Sequence, residues 1–210
     1  MNVINIKELM IPGVKVIQFS RFLDSRGYFT ETFRKSDVKK YKELEFIKGI
    51  DFVQFNESYV KAGVLKGLHF QWQPPLGKLL RVVSGHMVDI ILDLREGSLT
   101  EGKIIMYDME VSVSEDYSEW IWLPHGVAHG NFFLKDSMIE YFFTTDYNPA
   151  GEDSISPLSQ DFDWSLCDES LINIYSRFQK KNFIISDKDK NSLSLLEWQK
   201  NNKLKKIFYV

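Results

Sequence analysis

Short apolar or alternating runs, separated by turn residues, fill the chain from about Val14 to Thr145. Ten of these runs predict β-strands: residues 14–19, 28–33, 51–57, 64–72, 78–83, 87–94, 103–111, 119–123, 129–134 and 138–145. A short helix is predicted between strands, at residues 36–44. Many short strands at regular spacing are typical of a β-sandwich or barrel.

The pattern changes after Pro149. Residues 151–163 are polar and rich in turn formers, whereas residues 168–181 and 192–205 have helical spacing and high charge. We therefore predict a mainly β protein with two parts. Residues 1–150 form a β-sandwich core with an N-terminal strand arm, and residues 151–210 form a short helical tail packed on that core.

Composition narrows the classes of partner and the compartment. The 210 residues carry 26 basic and 29 acidic side chains, a net charge of −3 that argues against nucleic acid or an anionic membrane as a partner. Cys167 is the one cysteine, so no intrachain disulfide forms, as expected in a reducing compartment. The sequence has no secretory signal pattern and no apolar stretch of about 20 residues. We expect a cytoplasmic protein.

The strand around His69 carries the densest chemical signal. Strict alternation divides it into two faces, with Leu65, Gly67, His69 and Gln71 on one and Lys66, Leu68 and Phe70 on the other. A single histidine in an apolar strand is more often a satisfied core residue than a functional one. The neighbouring strands decide between these interpretations.

Those strands supply further titratable residues. Asp89 lies within the apolar run 87–94, where a carboxylate is costly to bury without a partner, and Arg81 and Arg95 are candidates for that partner. Lys78 opens one strand, and His129 and Tyr141 lie on two others. Polar side chains from separate strands of a small barrel commonly build a pocket.

Eight motifs then occur in a fixed order. They are Asp24-x-Arg26-Gly27-Tyr28-Phe29-x-Glu31, Gln54-x-Asn56-x-Ser58, Gly63-Val64-Leu65-x-Gly67-Leu68-His69-x-Gln71, Gly77-Lys78-Leu79-x-Arg81-Val82, Asp89-x-x-x-Asp93-Leu94-Arg95-x-x-Ser98-x-Thr100-x-Gly102, Pro124-x-Gly126-x-Ala128-His129-Gly130, Tyr141-x-x-Thr144-x-x-Tyr147-x-Pro149-x-x-Glu152 and Ser186-x-Lys188-Asp189. Together they span nearly the whole chain and resemble the dTDP-4-dehydrorhamnose 3,5-epimerase family.

The resemblance implies a double-stranded β-helix, the cupin or jelly-roll fold, and an isomerase. The reaction would be epimerisation at C3, C5 or both of a nucleotide-linked 4-keto-6-deoxy sugar through an enolate. It implies that His69 is the base, that Asp189 orients it, that Lys78 lies near the C4 oxygen and that Tyr141 is the acid. Such chemistry needs a base, an acid and a group that stabilises the enolate oxygen.

The resemblance also implies the substrate-binding residues, the assembly and the cofactor requirement. The residues at substrate-binding positions are Arg26, Glu31, Gln54, Asn56, Lys66, Arg81, Asp89 and His129. A homodimer is expected, with residues 1–22 pairing with a neighbouring sheet. No cofactor is expected, since the substrate's ketone serves as the electron sink. No metal is expected either, because His69-Phe70-Gln71 lacks the second histidine of metal-binding cupins.

Three departures from the family pattern bear on these roles. The family usually has arginine where this chain has Lys66, which loses the bidentate fork for phosphate. Counting forward from His129 puts Phe142 at the acid position, whereas counting back from Thr144 favours Tyr141. The tail also differs before Asp189, whose alternative interpretation is a solvated charge.

Two other functions remain open on the sequence. One is a sugar 3,4-ketoisomerase with the same fold, and the other is a non-catalytic protein that binds sugar nucleotides. The intact motifs around His69, Lys78 and Tyr141 favour the epimerase. A binding protein would lack the base or the acid.

Overall fold

The computed structural model describes residues 1–200 and contains thirteen β-strands in that range. The strands are β1 (Val3–Glu8), β2 (Lys15–Ser20), β3 (Phe22–Asp24), β4 (Gly27–Phe29), β5 (Gln54–Val60), β6 (Leu65–Gln71), β7 (Lys78–Ser84), β8 (His86–Asp93), β9 (Ile104–Glu110), β10 (Tyr117–Leu123), β11 (Val127–Phe133), β12 (Ser137–Phe143) and β13 (Glu152–Ser154). The helices are α1 (Lys35–Lys40), α2 (Glu169–Gln179), α3 (Asp187–Lys190) and α4 (Leu195–Lys200), and a 3₁₀ helix spans Lys42–Ile47.

Two antiparallel sheets face each other. The larger has six strands in the order β1-β2-β10-β7-β12-β5, and the smaller has five in the order β13-β6-β11-β8-β9. Strands β3 and β4 form a separate hairpin. The chain crosses repeatedly between the sheets, as in a jelly roll. The predicted fold class, a mainly β double-stranded β-helix with a helical C-terminal tail, is confirmed.

Alternation along the strands produces three apolar layers. In β8, Met87 and Ile91 point between the sheets, while Val88 and Ile90 point outward. The outward side of the five-stranded sheet is covered by the C-terminal segment, including Tyr175 of α2. The outer face of the six-stranded sheet is partly covered by α1 and the 3₁₀ helix. A strand buried on both faces reads as a continuous apolar run, which explains the sequence of β8.

The predicted helices and strands differ from the structure mainly at their ends. Strand β4 stops at Phe29, short of the predicted residue 33. The helix predicted at residues 36–44 is α1 followed by the 3₁₀ helix. The helix predicted at 168–181 is α2. Of the helix predicted at 192–205, the structure shows α4, and residues 201–205 lie outside the described residues.

Three strands had no counterpart among the predicted ones, namely β1, β13 and β3 of the hairpin. Strand β1 pairs with β2 of the same chain, with Ile6 opposite Ile17. Strand β13 pairs with β6 and places Ser154 opposite His69. Each is an edge strand of its sheet, and β13 is only three residues long. Such elements depend on a partner strand more than on their own sequence pattern.

The faces predicted for β6 were wrong at its start. Lys66 lies on the inner face with His69, and Leu65 packs outward with Leu68. The cause is a register shift against β11, where His129 pairs with His69 but Asn131 pairs with Lys66. One extra residue on β6 reverses the alternation, as in a β-bulge.

Gly67 permits this irregularity. Its φ is +102°, and a Cβ at this position would lie 2.3 Å from the Cα of Gly130. Only glycine fits so close to the neighbouring backbone in this conformation. Gly67 therefore allows Lys66 and His69 to share a face.

The C-terminal segment is held against β6 by backbone contacts. Leu65 N donates to Ile184 O, and Ile184 N donates to Gly63 O, each at 2.8 Å. Helix α3 follows a few residues later, with the Ser186 side chain accepting a hydrogen bond from Asp189 N. This attachment brings Asp189 to the sandwich. None of the helices in residues 1–200 has the length and apolarity required to cross a membrane.

Candidate active site

A cavity of 340 Å³ lies between the two sheets. Polar and titratable side chains line it together with several apolar ones: Gln54, Asn56, Lys66, His69, Gln71, Leu76, Lys78, Leu80, His129, Asn131, Ile139, Tyr141, Phe143, Tyr147, Glu152 and Lys188. The five-stranded sheet supplies His69 and His129, and the six-stranded sheet supplies Lys78 and Tyr141. Apolar walls with a few converging polar groups are typical of small-molecule sites.

His69 is paired with Asp189. His69 Nε2 lies 3.0 Å from Asp189 Oδ1, and Asp189 Oδ2 accepts a hydrogen bond from Gly67 N at 3.3 Å. Burial alone would lower the pKa of His69, but the adjacent carboxylates of Asp189 and Glu152 more than offset this effect and raise it. The carboxylate fixes the ring and favours its protonated form. Asp189 is 5% exposed, so the solvated-charge interpretation does not describe it.

A second carboxylate faces the other ring nitrogen. Glu152 Oε1 lies 3.5 Å from His69 Nδ1. Glu152 Oε2 accepts hydrogen bonds from the Tyr147 hydroxyl at 2.9 Å and from Lys188 Nζ at 2.7 Å. Burial would raise the pKa of Glu152, but the contacts with His69, Lys188 and Tyr147 lower it to about 2. Glu152 is therefore an anion at neutral pH.

Lys78 is a deeply placed cation of the cavity. Its Nζ donates to the backbone oxygen of His69 at 3.3 Å. Burial lowers the pKa of the Lys78 ammonium to about 8, although Glu152 and Asp89 oppose this effect. A desolvated cation of this kind interacts strongly with a negative oxygen brought next to it.

Asp89 has partners other than those expected from the sequence. Its Oδ1 contacts His129 Nδ1 at 3.1 Å and accepts from Asn131 Nδ2 at 2.7 Å. The proposed partnership with Arg81 or Arg95 was wrong in its geometry: Arg81 pairs with Glu140, and Arg95 binds Asp93.

Burial sets the protonation of this pair. It raises the pKa of Asp89 well above the ordinary value and lowers that of His129 well below it. Oδ2 of Asp89 is buried without a hydrogen-bond partner. Burial therefore disfavours the charged form of both groups.

Tyr141 and Phe142 point to opposite faces of β12. Tyr141 lines the cavity, and burial raises the pKa of its hydroxyl. Phe142 packs on the outer face of the sheet, with its ring centroid 4.7 Å from that of Trp120. Adjacent strand residues must diverge in this way. The cavity therefore receives a phenol from β12.

The remaining polar wall comes from β5 and β6. Gln54 Nε2 donates to Asn56 Oδ1 at 3.0 Å, and Gln54 Oε1 accepts from Tyr147 N at 2.8 Å. Lys66 Nζ lies 3.4 Å from Ser58 Oγ, and burial lowers its pKa. This wall offers amide groups and one cation to a ligand.

Three of the predicted substrate-binding residues neither line the cavity nor contact its histidines. Arg26 lies on the β3–β4 hairpin with its side chain 88% exposed and paired with Asp24. Glu31 contacts Arg34 and the N-terminal ammonium of Met1. Arg81 faces outward on β7, where its guanidinium stacks over the Trp120 ring. The other nine predicted site residues meet at the cavity or, for Asp189 and Asp89, contact its histidines.

The structure adds five polar residues that the predicted site lacked: Gln71, Asn131, Tyr147, Glu152 and Lys188. Four of them, Gln71, Tyr147, Glu152 and Lys188, belong to the motifs on which the family resemblance rests. Asn131 had no sequence signal. Within residues 1–200, no cluster of three or more His, Cys, Asp or Glu side chains has the arrangement that a metal ion requires.

The fold and cavity define a cupin-type β-sandwich with facing titratable side chains. The chain belongs to the dTDP-4-dehydrorhamnose 3,5-epimerase family, whose model matches residues 8–197. The family predicted from the motifs is thereby confirmed.

Individual relatives extend over most of the chain. A dTDP-4-dehydrorhamnose 3,5-epimerase of Methanothermobacter thermautotrophicus is 35% identical over 190 residues, covering 89% of this chain and 92% of the relative. One of Neisseria gonorrhoeae is 40% identical over 149 residues and covers 70% of this chain, which spans 43% of that relative's length. The crystal structure of dTDP-6-deoxy-D-glucose-3,5-epimerase from Legionella pneumophila, in complex with dTDP-4-keto-L-rhamnose, matches with a TM-score of 0.75 and 31% identity, covering 91% of this chain and 93% of that one.

Proposed function

We propose that the protein epimerises a nucleotide-linked 4-keto-6-deoxy sugar at C3, C5 or both through an enolate. One observation carries the proposal. His69 and Tyr141 enter the same cavity from opposing sheets, so that a sugar ring between them has a basic group on one side and a phenol on the other. Inversion of a carbon requires this arrangement, because the proton leaves one face and returns to the other.

In this mechanism, neutral His69 removes the proton beside the ketone and becomes an imidazolium. Asp189, at 3.0 Å from Nε2, stabilises that positive charge. The electron pair moves onto the ketone oxygen, where the Lys78 ammonium stabilises the enolate. The Tyr141 hydroxyl then gives a proton to the carbon from the opposite face, which restores the ketone.

The substrate proposal combines the cavity wall with the comparisons. The Legionella structure holds dTDP-4-keto-L-rhamnose, and the curated relatives carry dTDP in their names. Lys66 supplies a cation in the same cavity, and we assign it to the pyrophosphate. Gln54 and Asn56 are assigned to the nucleotide side. The cytoplasm, where nucleotide sugars are made and Cys167 stays reduced, is the proposed compartment.

A homodimer would explain the residues that lie outside the cavity. The β3–β4 hairpin projects Phe22 and Phe29 with 57% and 65% of their surfaces exposed, beside Arg26. Exposed aromatic side chains of this size are typical of a contact surface. We propose that this hairpin and Glu31 reach the site of a second copy, so that Arg26 adds charge at the partner's nucleotide. Light scattering that detects monomer alone at working concentration would contradict this.

The test of function uses dTDP-4-keto-6-deoxyglucose in D₂O, followed by proton NMR. The wild type should exchange the proton at C3, C5 or both and form an inverted product. His69→Asn should lose both signals by roughly 10²- to 10⁴-fold, because no enolate forms. His125→Asn is a matched control, since His125 is outside the residues that line the cavity. Wild-type protein without exchange at either carbon would refute the proposal, and a 3-keto product would indicate a ketoisomerase.

A further inference from the structure

His69 lies between two carboxylates that come from different parts of the chain. Asp189 on α3 faces Nε2 at 3.0 Å, and Glu152 on β13 faces Nδ1 at 3.5 Å. We propose that Glu152 is a positioning residue that selectively stabilises the imidazolium form of His69. This inference rests on the proposed function for its catalytic meaning, but the charge relation itself is a property of the free protein.

The geometry makes Glu152 sensitive to the charge on the ring. Neutral histidine carries one N–H, and Asp189 accepts it at Nε2. Nδ1 is buried, and at 3.5 Å from Glu152 it has no hydrogen bond of its own. Glu152 stabilises the neutral ring little, because the lone pair of Nδ1 faces the carboxylate anion. A ring protonated at Nδ1 instead forms an ion pair with Glu152.

Glu152 is itself held in place. The Tyr147 hydroxyl and Lys188 Nζ both donate to Oε2, which leaves Oε1 directed at the histidine. Gln71 fixes the loop that carries Tyr147, since its side-chain amide donates to Asp146 O at 3.1 Å and its oxygen accepts from Asn148 N at 2.7 Å. The pairing of Glu152 with Gln71 across β13 and β6 completes this support.

The other charges around His69 act in both directions. The titratable groups that face the ring or line its pocket are Asp189 and Lys188 from α3, Glu152 from β13, Lys66 from β6, Lys78 from β7, His129 from β11 and Tyr141 from β12, and Asp89 of β8 contacts His129. Lys78 opposes protonation of His69. The raised pKa of His69 therefore needs both carboxylates to outweigh the cation and the burial of the ring.

The experiment is an NMR titration of the histidine rings in the full-length protein without substrate. The chain has four histidines, so His69 is assigned by comparison with His69→Asn. In Glu152→Gln the pKa of His69 should fall by about 1, a tenfold loss of proton affinity, as expected for removal of one nearby opposite charge. Asp153→Asn is the control for the loss of one negative charge. Asp153 is next to Glu152 in β13, but its side chain accepts a hydrogen bond from Ser154 N.

A second variant should change the pKa of His69 in the opposite direction. Lys188→Met removes a cation from the cluster, while Glu152 stays ionised because its pKa starts at about 2. The pKa of His69 should therefore rise. Glu152→Asp keeps the charge and should retain part of the wild-type value, which covers the case in which Glu152→Gln does not fold. An unchanged pKa of His69 in folded Glu152→Gln would overturn the inference.

A kinetic measurement connects the titration to catalysis. In Glu152→Gln the acid limb of the pH profile of kcat/KM should move to lower pH by about 1 unit, the same shift as in the titration. This limb reports the pKa of the base in the free enzyme. A limb that stays fixed while the NMR value moves would overturn the catalytic part of the inference. Inactive wild-type protein would instead contradict the proposed function, and the titration would still test the charge relation.

Discussion

His69 Nε2 lies 3.0 Å from Asp189 Oδ1, and this contact joins the inner face of β6 to the short helix α3. The backbone contacts of Ile184 with Gly63 and Leu65 bring the C-terminal segment to that position. The tail therefore completes the site in addition to covering the outer face of the five-stranded sheet.

Replacing Asp189 should separate folding from catalysis. We expect Asp189→Asn to keep the shape of the side chain, lower kcat by about 10²- to 10⁴-fold and lower the pKa of His69, because the imidazolium loses its charged partner. Asp187→Asn is the control, because Asp187 is the exposed first residue of the same helix α3, and its kcat should stay near the wild type. Steady-state kinetics at several pH values measures both effects. Equal activity of the two variants would remove Asp189 from the mechanism.

The pH profile of kcat/KM should be bell-shaped. His69 must be neutral to accept a proton, and its pKa is raised above 6.5, so that activity increases with pH on the acid side. Lys78 must be protonated, and its pKa is about 8, so that activity is lost as pH rises through this value. Lys78→Arg should move the alkaline limb well above pH 8, because arginine stays charged and the next group that must keep its proton is Tyr141, whose pKa is raised by burial. An alkaline limb that persists near pH 8 in Lys78→Arg would assign it to another group.

Lys66 should contribute to binding more than to turnover. Its ammonium lies within the cavity but contacts only Ser58 Oγ, at 3.4 Å, among the hydrogen bonds of the described residues. We expect Lys66→Ala to raise KM at least tenfold with a smaller change in kcat, because the pyrophosphate loses a cation. Lys61→Ala removes an exposed lysine and should change neither. A KM unchanged in Lys66→Ala would place the phosphates elsewhere.

The sequence predicted most of the β-strands, because alternation and turn residues are local signals. It also placed His69, Lys78, His129 and Tyr141 on separate strands of one pocket. The inner position of Lys66 could not be read from alternation, since the register shift at Gly67 depends on close contact with Gly130 of another strand. The partners of Asp89 were missed for a similar reason, because Asn131 reaches it only through the pairing of β11 with β8.

Asp93 should stabilise the fold strongly. It is fully buried and accepts hydrogen bonds from Arg95 Nε at 2.7 Å and from the hydroxyls of Ser98 and Thr100 at 2.6 Å each. Asp93→Ala should lower the free energy of unfolding by about 3–5 kcal/mol, because Arg95, Ser98 and Thr100 lose their buried charged acceptor. Urea denaturation measures this, with Asp108→Ala as an exposed control. A loss below about 1 kcal/mol would show that the network contributes little.

The same network has a defined pH dependence. Burial would raise the pKa of Asp93, but the contacts with Arg95, Ser98 and Thr100 lower it below 3.8 in the folded protein. The stabilisation is therefore present above the unfolded value and is lost as pH falls through the folded pKa. Asp93→Asn should flatten this part of the acid unfolding curve. An unchanged acid curve would assign the transition to other carboxylates.

Tyr141→Phe should separate proton removal from inversion. The base His69 stays in place, so exchange of the substrate proton with solvent should continue, while inversion falls about 10²-fold or more because the returning proton lacks its donor. The measurement is the ratio of deuterium incorporated to inverted product.

Phe142→Leu is the matched control for Tyr141→Phe, since the Phe142 ring packs against Trp120 on the outer face of the sheet. It should cost about 1–3 kcal/mol of stability and leave the ratio unchanged. A wild-type ratio at wild-type rate in Tyr141→Phe would exclude this hydroxyl as the acid. The proton would then have to come from another group on the cavity wall.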